Sequence, residues 1–140
     1  MNKSEILEFL NANPVFHLAT VEDGRPHVRG MLLYGADKNG ILLHTGKMRD
    51  LHKQLMKDPH VELSFHNGSS ENLTQIRISG TVELVEDLEL KKDIVRDREF
   101  LRPFVEQFGY DPLAVYRIRS GVASVWTMRN NLGPKELVEL

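Results

Sequence analysis

The sequence contains no cysteine among its 140 residues. Disulfide scaffolds, thiolate zinc sites, iron–sulfur clusters and cysteine nucleophiles are therefore excluded for this chain. It also lacks any apolar stretch near the ~18 residues needed to span a bilayer, and its net charge is only −2. A chain so close to neutral does not offer the broadly basic face of a nucleic-acid-binding protein. We expect no nucleic-acid or membrane partner, and any redox chemistry must come from a bound cofactor.

Length and composition place the chain among single folded domains. The 140 residues are about one domain's worth, and 41% hydrophobic with 27% charged residues is close to a globular average. We therefore treat residues 1–140 as one domain. Glu5 and Glu8 stand where a secretory signal needs an unbroken apolar run, so we expect a cytoplasmic protein.

The first half of the chain alternates short β-forming segments with turns. After a short amphipathic helix at residues 4–10, β-forming segments cover residues 15–21, 26–34 and 41–45. Turn signals at residues 22–25 and 37–40 separate these segments. The pattern predicts an antiparallel meander.

The second half predicts further strands and helices. The sequence favours a helix over residues 48–58, strands over 61–65 and 74–85, two helices over 86–108 divided at Pro103, and strands within 113–128. Residues 129–140 have no clear period and indicate an irregular arm. Six or seven strands, mostly adjacent in sequence, predict a small antiparallel barrel decorated by helices.

Arg29 is unusual for its position. It shares a predicted strand face with His27 and Met31, in a run from Val28 to Tyr34 that otherwise has a buried pattern. Burying a guanidinium is costly unless an anion meets it. Arg29 is therefore a candidate anion ligand at the mouth of the barrel. The alternatives are an internal ion pair with Asp or Glu, or a place at the sheet edge.

A strand, a glycine turn and a helix follow one another in residues 44–54. The N–H groups of a helix N-terminus suit phosphate, and this segment adds a hydroxyl and three bases: Thr45, Lys47, Arg49 and Lys53. The last two are four residues apart and share a helix face. Because Arg29 lies on the preceding predicted strand, it and the turn can converge on one phosphate. The alternative is a solvated helix whose bases face water.

Two later residues are candidates for contact with a flat ligand. Trp126, the only tryptophan, lies in the last predicted strand, and Gln75 lies on the polar face of an earlier one. A lone tryptophan is more often a core aromatic, which is the alternative here. The six histidines form no HxH, HExxH or i,i+4 pair, so we expect no metal site. No nucleophile–base pair emerges either, and no catalytic side chain is predicted.

Four segments, taken in order, carry a family resemblance. They are residues 16–31, residues 42–61, residues 77–82 and the strand that ends at Trp126. In order and spacing they resemble the opening hairpin, the phosphate turn and helix, the next long strand and the last strand of the pyridoxamine 5'-phosphate oxidase-like, FMN-binding split-barrel proteins. The resemblance covers nearly the whole chain, from Glu5 to Met128.

This resemblance implies a mainly β fold with helices, namely a six-stranded antiparallel split barrel. It further implies a homodimer that holds two FMN molecules in clefts between its subunits. The cofactor contacts that it implies are Arg29, Gly30, Met31, Tyr34, His44, Thr45, Arg49, Lys53, Gln75 and Trp126. Lys47 is added to this set from the basic cluster and not from the resemblance.

The chain departs from the oxidase proper in two places. Asp50 and Leu51 stand where the oxidase carries an Arg-Lys pair, and its basic C-terminal segment that binds pyridoxal phosphate is not found. The first departure displaces the bases of the phosphate helix to Arg49 and Lys53, and the missing segment counts against vitamin B6 as the substrate. The chain looks more like the short branch of general-stress proteins and reductases. We expect an FMN-dependent oxidoreductase with a small-molecule substrate, and NADH or NADPH as a candidate electron donor.

Two alternatives stay open beside this prediction. The first is a non-enzymatic module of the same fold that holds FMN or heme for sensing or storage. Heme needs an axial ligand, and the six histidines offer candidates. The second is a dimeric barrel that carries no cofactor.

Overall fold

The computed structural model describes residues 1–140, which form ten strands and four helices. The first half contains α1 (Lys3–Ala12), β1 (Val15–Glu22), β2 (Arg25–Leu32), β3 (Gly35–Asp37), β4 (Gly40–Gly46), α2 (Asp50–Lys57) and β5 (His60–His66). The second half contains β6 (Thr74–Thr81), β7 (Glu83–Leu84), α3 (Leu88–Asp97), α4 (Arg102–Phe108), β8 (Leu113–Ile118), β9 (Gly121–Thr127) and β10 (Glu136–Glu139). Short 3₁₀ turns occupy Glu99–Leu101 and Met128–Asn130.

The strands are divided between two antiparallel sheets. One sheet has six strands in the order β10-β9-β6-β5-β1-β2, and the other has four in the order β3-β4-β8-β7. A core cluster of 21 buried residues draws on both sheets, with Phe16 and Ile78 from the first and Leu43 and Tyr116 from the second. The predicted mainly antiparallel β fold with helices is confirmed, and the two sheets are not hydrogen-bonded into a closed ring.

Local sequence signals explain why several elements begin and end where they do. Asn2 caps α1 in a reciprocal capping box with Glu5. Asp23 and Gly24 turn the β1–β2 hairpin with φ values of 51° and 77°, the left-handed region that glycine adopts without strain. In β6 the alternation is regular, and Ile76 and Ile78 are fully buried.

The predicted meander is wrong at its third strand. Beyond β2 the chain leaves the six-stranded sheet: the Leu33 N–H donates to the Pro14 carbonyl and the Tyr34 N–H to the Leu42 carbonyl. The short β3 and then β4 therefore belong to the second sheet. The crossing satisfies the backbone groups that the break in strand pairing leaves free.

Two other predicted boundaries also need correction. The long strand at 74–85 is two strands, because the Val82 N–H donates to the Pro59 carbonyl and β7 then pairs with β8 in the other sheet. The irregular arm at 129–140 contains β10, which pairs with β9 at the edge of the six-stranded sheet. The first segment changes sheet between Thr81 and Glu83, and β10 has only four residues, so neither leaves room for a period to show in the sequence.

The last two helices cover the second sheet on the side away from the main core. Ile94 and Val95 of α3 form a small cluster with Leu113 and Val115 of β8. The predicted division near Pro103 is confirmed, although the break itself lies at Arg98 and the 3₁₀ turn after it. Pro103 sits in the first turn of α4, where its missing N–H is not needed. None of the four helices is long and apolar enough to cross a lipid bilayer.

Candidate functional site

Arg29 lies in β2, the edge strand of the six-stranded sheet, with its side chain on the core face. Its guanidinium donates to the Leu18 carbonyl at 3.3 Å, to Thr20 Oγ1 at 2.9 Å and to Gln54 Oε1 at 2.6 Å. All three acceptors are neutral, and no carboxylate lies within ion-pair distance. The predicted alternative of an internal ion pair is therefore wrong, whereas the edge position is correct. Burial lowers the pKa of this guanidinium, because desolvation disfavours its charge.

The surroundings of Arg29 differ from the buried run that the sequence predicts. Only one face of β2 points inward, and Val28 on the other face is 69% exposed. Gly30 shares that outer face, and Met31 packs against the main core from the inner face. Leu33 is buried, since it lies at the crossing between the sheets.

The buried face of α2 contacts Arg29, whereas the basic residues of this segment are exposed to solvent. Gln54, which accepts from Arg29, is buried, and it also accepts from the Thr20 hydroxyl at 2.6 Å. Lys53, the neighbour of Gln54, is exposed, and so is Arg49, the N-cap residue of α2. Neither base takes part in an ion pair, and the structure gives neither a contact with Arg29. Arg29 and the basic helix therefore meet, but through an uncharged glutamine.

Lys47 differs from the other bases of this segment because it is already paired. Its Nζ lies 2.8 Å from Glu86 Oε1, and the other Glu86 oxygen lies 3.1 Å from the Nζ of Lys91. Lys91 is only 3% exposed, and it also donates to the Tyr110 carbonyl at 3.3 Å. The hydrogen bond from Lys47, helped by Lys91, lowers the pKa of Glu86 below its ordinary value. Glu86 thus neutralises two bases at the end of β4.

A second buried polar contact lies beside this carboxylate. Tyr116 in β8 is fully buried, and its hydroxyl lies 2.5 Å from Nδ1 of His52 in α2. Burial lowers the pKa of His52, helped by the charge of Lys47, so its imidazole is held neutral. Burial likewise raises the pKa of Tyr116 and keeps its phenol protonated. This pair joins α2 to the second sheet.

Arg98, which the sequence analysis missed, makes several contacts with residues near the end of β2. It donates to the carbonyls of Leu32 and Leu33 and, at 2.6 Å, to Nε2 of His44. Its guanidinium carbon lies 5.5 Å from the centre of the Tyr34 ring. Its partners are 54 to 66 residues away in the chain, so no local pattern could reveal it.

His44 and Tyr34 are strongly affected by this environment. Burial, followed by the charge of Arg98, lowers the pKa of His44 to about 4. The Tyr34 hydroxyl donates to Asp97 Oδ2 at 2.6 Å, and burial together with this acceptor raises the pKa of Tyr34 to about 12. Thr45 follows His44 with its side chain on the opposite face of β4, half-buried beside the main core.

Gln75 and Trp126 lie on the other side of the six-stranded sheet from Arg29. They are cross-strand partners on its outer face, and both are half-buried. Gln75 Nε2 donates to Ser64 Oγ at 3.2 Å, and Trp126 Nε1 donates to Asn131 Oδ1 at 2.9 Å. Trp126 is outside the core cluster, so the alternative of a core aromatic is wrong. Within one chain the predicted site residues are therefore divided between two faces.

The sequence profile of the family described as pyridoxamine 5'-phosphate oxidase matches residues 3–119. The chain belongs to this family. A pyridoxine/pyridoxamine 5'-phosphate oxidase from Gluconobacter oxydans is 44% identical over 63 residues, which is 45% of this chain and 30% of that enzyme. The matched segments span about a third of the length of such curated relatives. The family resemblance predicted from the sequence is confirmed.

Solved structures show the same fold at lower identity. A NimC/NimA family protein from Clostridium acetobutylicum superposes with a TM-score of 0.77 at 24% identity, over 98% of this chain and 92% of that protein. A heme-binding protein from Mycobacterium smegmatis superposes with a TM-score of 0.71 at 18% identity, over 92% of this chain and 54% of that protein. At these identities the superpositions show the shared fold.

The Glu86→Gln substitution is expected to destabilise the protein by about 1–3 kcal/mol at neutral pH, since Lys91 would lose its only carboxylate partner. The depressed pKa of Glu86 means that the folded state prefers the carboxylate more than the unfolded chain does. Its contribution is therefore complete above the unfolded value of 4.5 and is lost as the pH falls through the lower folded value. Urea unfolding midpoints from about pH 7 to about pH 3 measure this dependence.

The matched control is Glu8→Gln, at an exposed position on α1 that makes no ion pair. Its curve of unfolding midpoint against pH should follow that of the unmodified protein. A Glu86→Gln curve that runs parallel to the unmodified protein over the whole range would contradict the role given to this carboxylate.

Proposed function

We propose that the chain is an FMN-binding flavoprotein and an oxidoreductase, with the cofactor held between two copies of the chain. The observation that carries the proposal is Arg29, a half-buried guanidinium whose partners are all neutral oxygens. A guanidinium without a carboxylate keeps its charge available for an anion, and phosphate is the anion that its forked donors match well.

The bases of the α2 segment would add to Arg29 as donors for the phosphate of FMN. Arg49 and Lys53 on α2 are free of ion pairs, and the first backbone N–H groups of α2 follow directly after Arg49. Lys47 contributes less to this set, because Glu86 already neutralises it. When bound, the flavin would supply the hydride or electron transfer, so the protein has only to bind and orient it.

The division of site residues between two sheet faces supports a dimer. A flavin that contacts Arg29 cannot also contact Gln75 and Trp126 of the same chain through the sheet. A second copy would bring its own outer face to the first. The outer face of β1 and β2 is also apolar and exposed, which suits an interface between subunits. Its exposed residues include Val15, Val21, Val28 and Leu32.

The substrate of the oxidase is not part of this proposal. Leu51, at the place of one base of the oxidase's Arg-Lys pair, is 6% exposed and belongs to the main core. Asp50 beside it is negative and exposed, so neither residue could hold the cofactor's phosphate as the oxidase's pair does, and Arg49 and Lys53 are proposed for that role. We infer a small-molecule substrate that reaches the flavin at the proposed dimer cleft.

The second candidate is a heme-binding module of the same fold. His17 and His66 are exposed on the outer face of neighbouring strands, two residues apart in register, where an axial ligand would be accessible. The solved heme-binding protein from Mycobacterium smegmatis shares the fold. A Soret band after addition of heme, with no response to FMN, would favour this candidate over the first.

Arg29→Ala is expected to weaken FMN binding by about 1.5–3 kcal/mol, or roughly 10- to 150-fold in Kd, because a charge-assisted hydrogen bond is lost. Fluorescence titration of purified protein with FMN measures the change. Arg102→Ala is the matched control, since Arg102 is an exposed arginine on α4 paired only with Glu99. Equal Kd values for the two variants would remove Arg29 from the site, and an unmodified protein that ignores FMN would refute the proposal.

Addition of NADH or NADPH under anaerobic conditions is expected to bleach the visible absorption of the bound flavin. The chain supplies no dinucleotide-binding fingerprint, so the nucleotide would bind transiently beside the flavin. Stopped-flow absorbance on the holoprotein measures the rate, with free FMN at equal concentration as the control. A flavin that stays oxidised with both nucleotides would favour the non-enzymatic module.

Val28→Lys is expected to convert the dimer to a monomer and to weaken FMN binding together with it. The substitution places a charge in the exposed apolar face of β1 and β2, where an interface would have to desolvate it. Sedimentation velocity with and without FMN measures both effects. Leu88→Lys is the control, because Leu88 is 50% exposed at the start of α3 and away from this face. A monomeric unmodified protein that binds FMN tightly would contradict the proposed dimer site.

A further inference from the structure

We propose that Arg98 is a positioning residue of the cofactor site, which joins the end of β2 to β4 and holds His44 as its Nδ1–H tautomer. The inference rests on the proposed function in one respect, since His44 is among the residues expected to meet FMN. Its structural part concerns the protein alone.

The place of Arg98 in the chain explains how one side chain can reach two sheets. It lies between α3 and the following 3₁₀ turn, and its own N–H is tied to the Ile94 carbonyl at 2.9 Å. From there the guanidinium reaches the Leu32 carbonyl at 3.3 Å and also the Leu33 carbonyl. These carbonyls stand where the chain leaves the six-stranded sheet for the second one. Arg98 thus fastens the end of the strand that carries Arg29.

The contact with Arg98 determines which ring nitrogen of His44 carries the proton. A guanidinium has only donors, so His44 Nε2, which lies 2.6 Å from Arg98, must accept. In a neutral imidazole the proton then resides on Nδ1. If His44 were protonated, its Nε2–H and the N–H of Arg98 would both be donors facing each other, and two positive charges would be in contact. His44 is therefore neutral: its Nδ1–H can donate a hydrogen bond, but the ring cannot act as a general acid near neutral pH.

Few titratable or charged groups lie close to the contact between Arg98 and His44. Besides burial, the charge of Arg98 lowers the pKa of His44, and the residue opposite His44 on β8 is the uncharged Val115. Asp97 and Tyr34 lie near Arg98 and favour its charged form. The Asp97 carboxylate, however, accepts its hydrogen bond from the Tyr34 hydroxyl. Arg98 consequently keeps its charge and its donors for His44 and the two carbonyls. The lowered pKa of His44 agrees with this geometry.

Nitrogen NMR of the cofactor-free protein labelled with ¹⁵N-histidine tests the structural part. The His44→Gln variant assigns the signals of His44. In the unmodified protein we expect the Nδ1–H tautomer, with the neutral imidazole predominant between about pH 8 and about pH 5. In Arg98→Met the Nε2–H tautomer should become populated. Arg96→Met is the matched control, because Arg96 is exposed on α3 and pairs only with Asp93 and Asp97.

The result for the unmodified protein is decisive even if Arg98→Met fails to fold. An Nε2–H tautomer or an imidazolium at neutral pH would overturn the inference, and so would an unchanged tautomer in a folded Arg98→Met protein. For the cofactor site, Arg98→Met should raise the Kd for FMN about tenfold relative to Arg96→Met. An unchanged Kd would overturn the positioning role. If the unmodified protein binds no FMN, the proposed function fails while the NMR result still decides the tautomer.

Discussion

The core shared by two antiparallel sheets is the constraint on which the rest of the structure depends. Each strand that borders it sends alternate side chains inward, and 21 buried residues fill the space between the sheets. Because no strand here belongs to both sheets, the chain crosses between them after β2, β4, β6 and β8, and the crossings after β2 and β6 lie at Leu33 and Val82. At each crossing the backbone groups lose their ladder partners and must find others. The side chain of Arg98 supplies two of those partners at the first crossing.

A second feature of the structure is the distribution of positive charge. Arg29 and Arg98 are both half-buried, and both bind neutral oxygens or nitrogens where a carboxylate would be the usual partner. Desolvation lowers the pKa of each guanidinium, which is the cost of holding a charge there without a counterion. Lys47 and Lys91 show the contrast, since Glu86 neutralises both. Arg29 and Arg98 are therefore half-buried positive charges without a carboxylate in ion-pair contact, unlike the exposed and unpaired Arg49 and Lys53.

Local patterns predicted the elements better than their partners. The β1–β2 hairpin, the alternation of Ile76 and Ile78 and the helix break near Pro103 depend on neighbouring residues, and the structure confirms them. Which sheet β4 or β7 joins depends on pairing with β8, far away in the chain, and the sequence alone predicted it wrongly. The same holds for the candidate site, where only the residues with a local signal could be predicted. Arg29 was found because a charge in an apolar strand is a local anomaly, whereas Arg98 and the pairing of Lys47 with Glu86 are visible only in three dimensions.

Size explains why a flavin site in such a protein would lie between copies of the chain. A core of this extent is filled by its own side chains, among them Phe16 and Phe65 with ring centroids 4.7 Å apart, and a large planar ligand between the sheets would have to displace them. The ligand must then be held at the surface, where one chain can enclose only one side of it. Arg29 is on one face of the six-stranded sheet and Trp126 is on the other. A second copy is the simplest way to bring both kinds of residue to one cofactor.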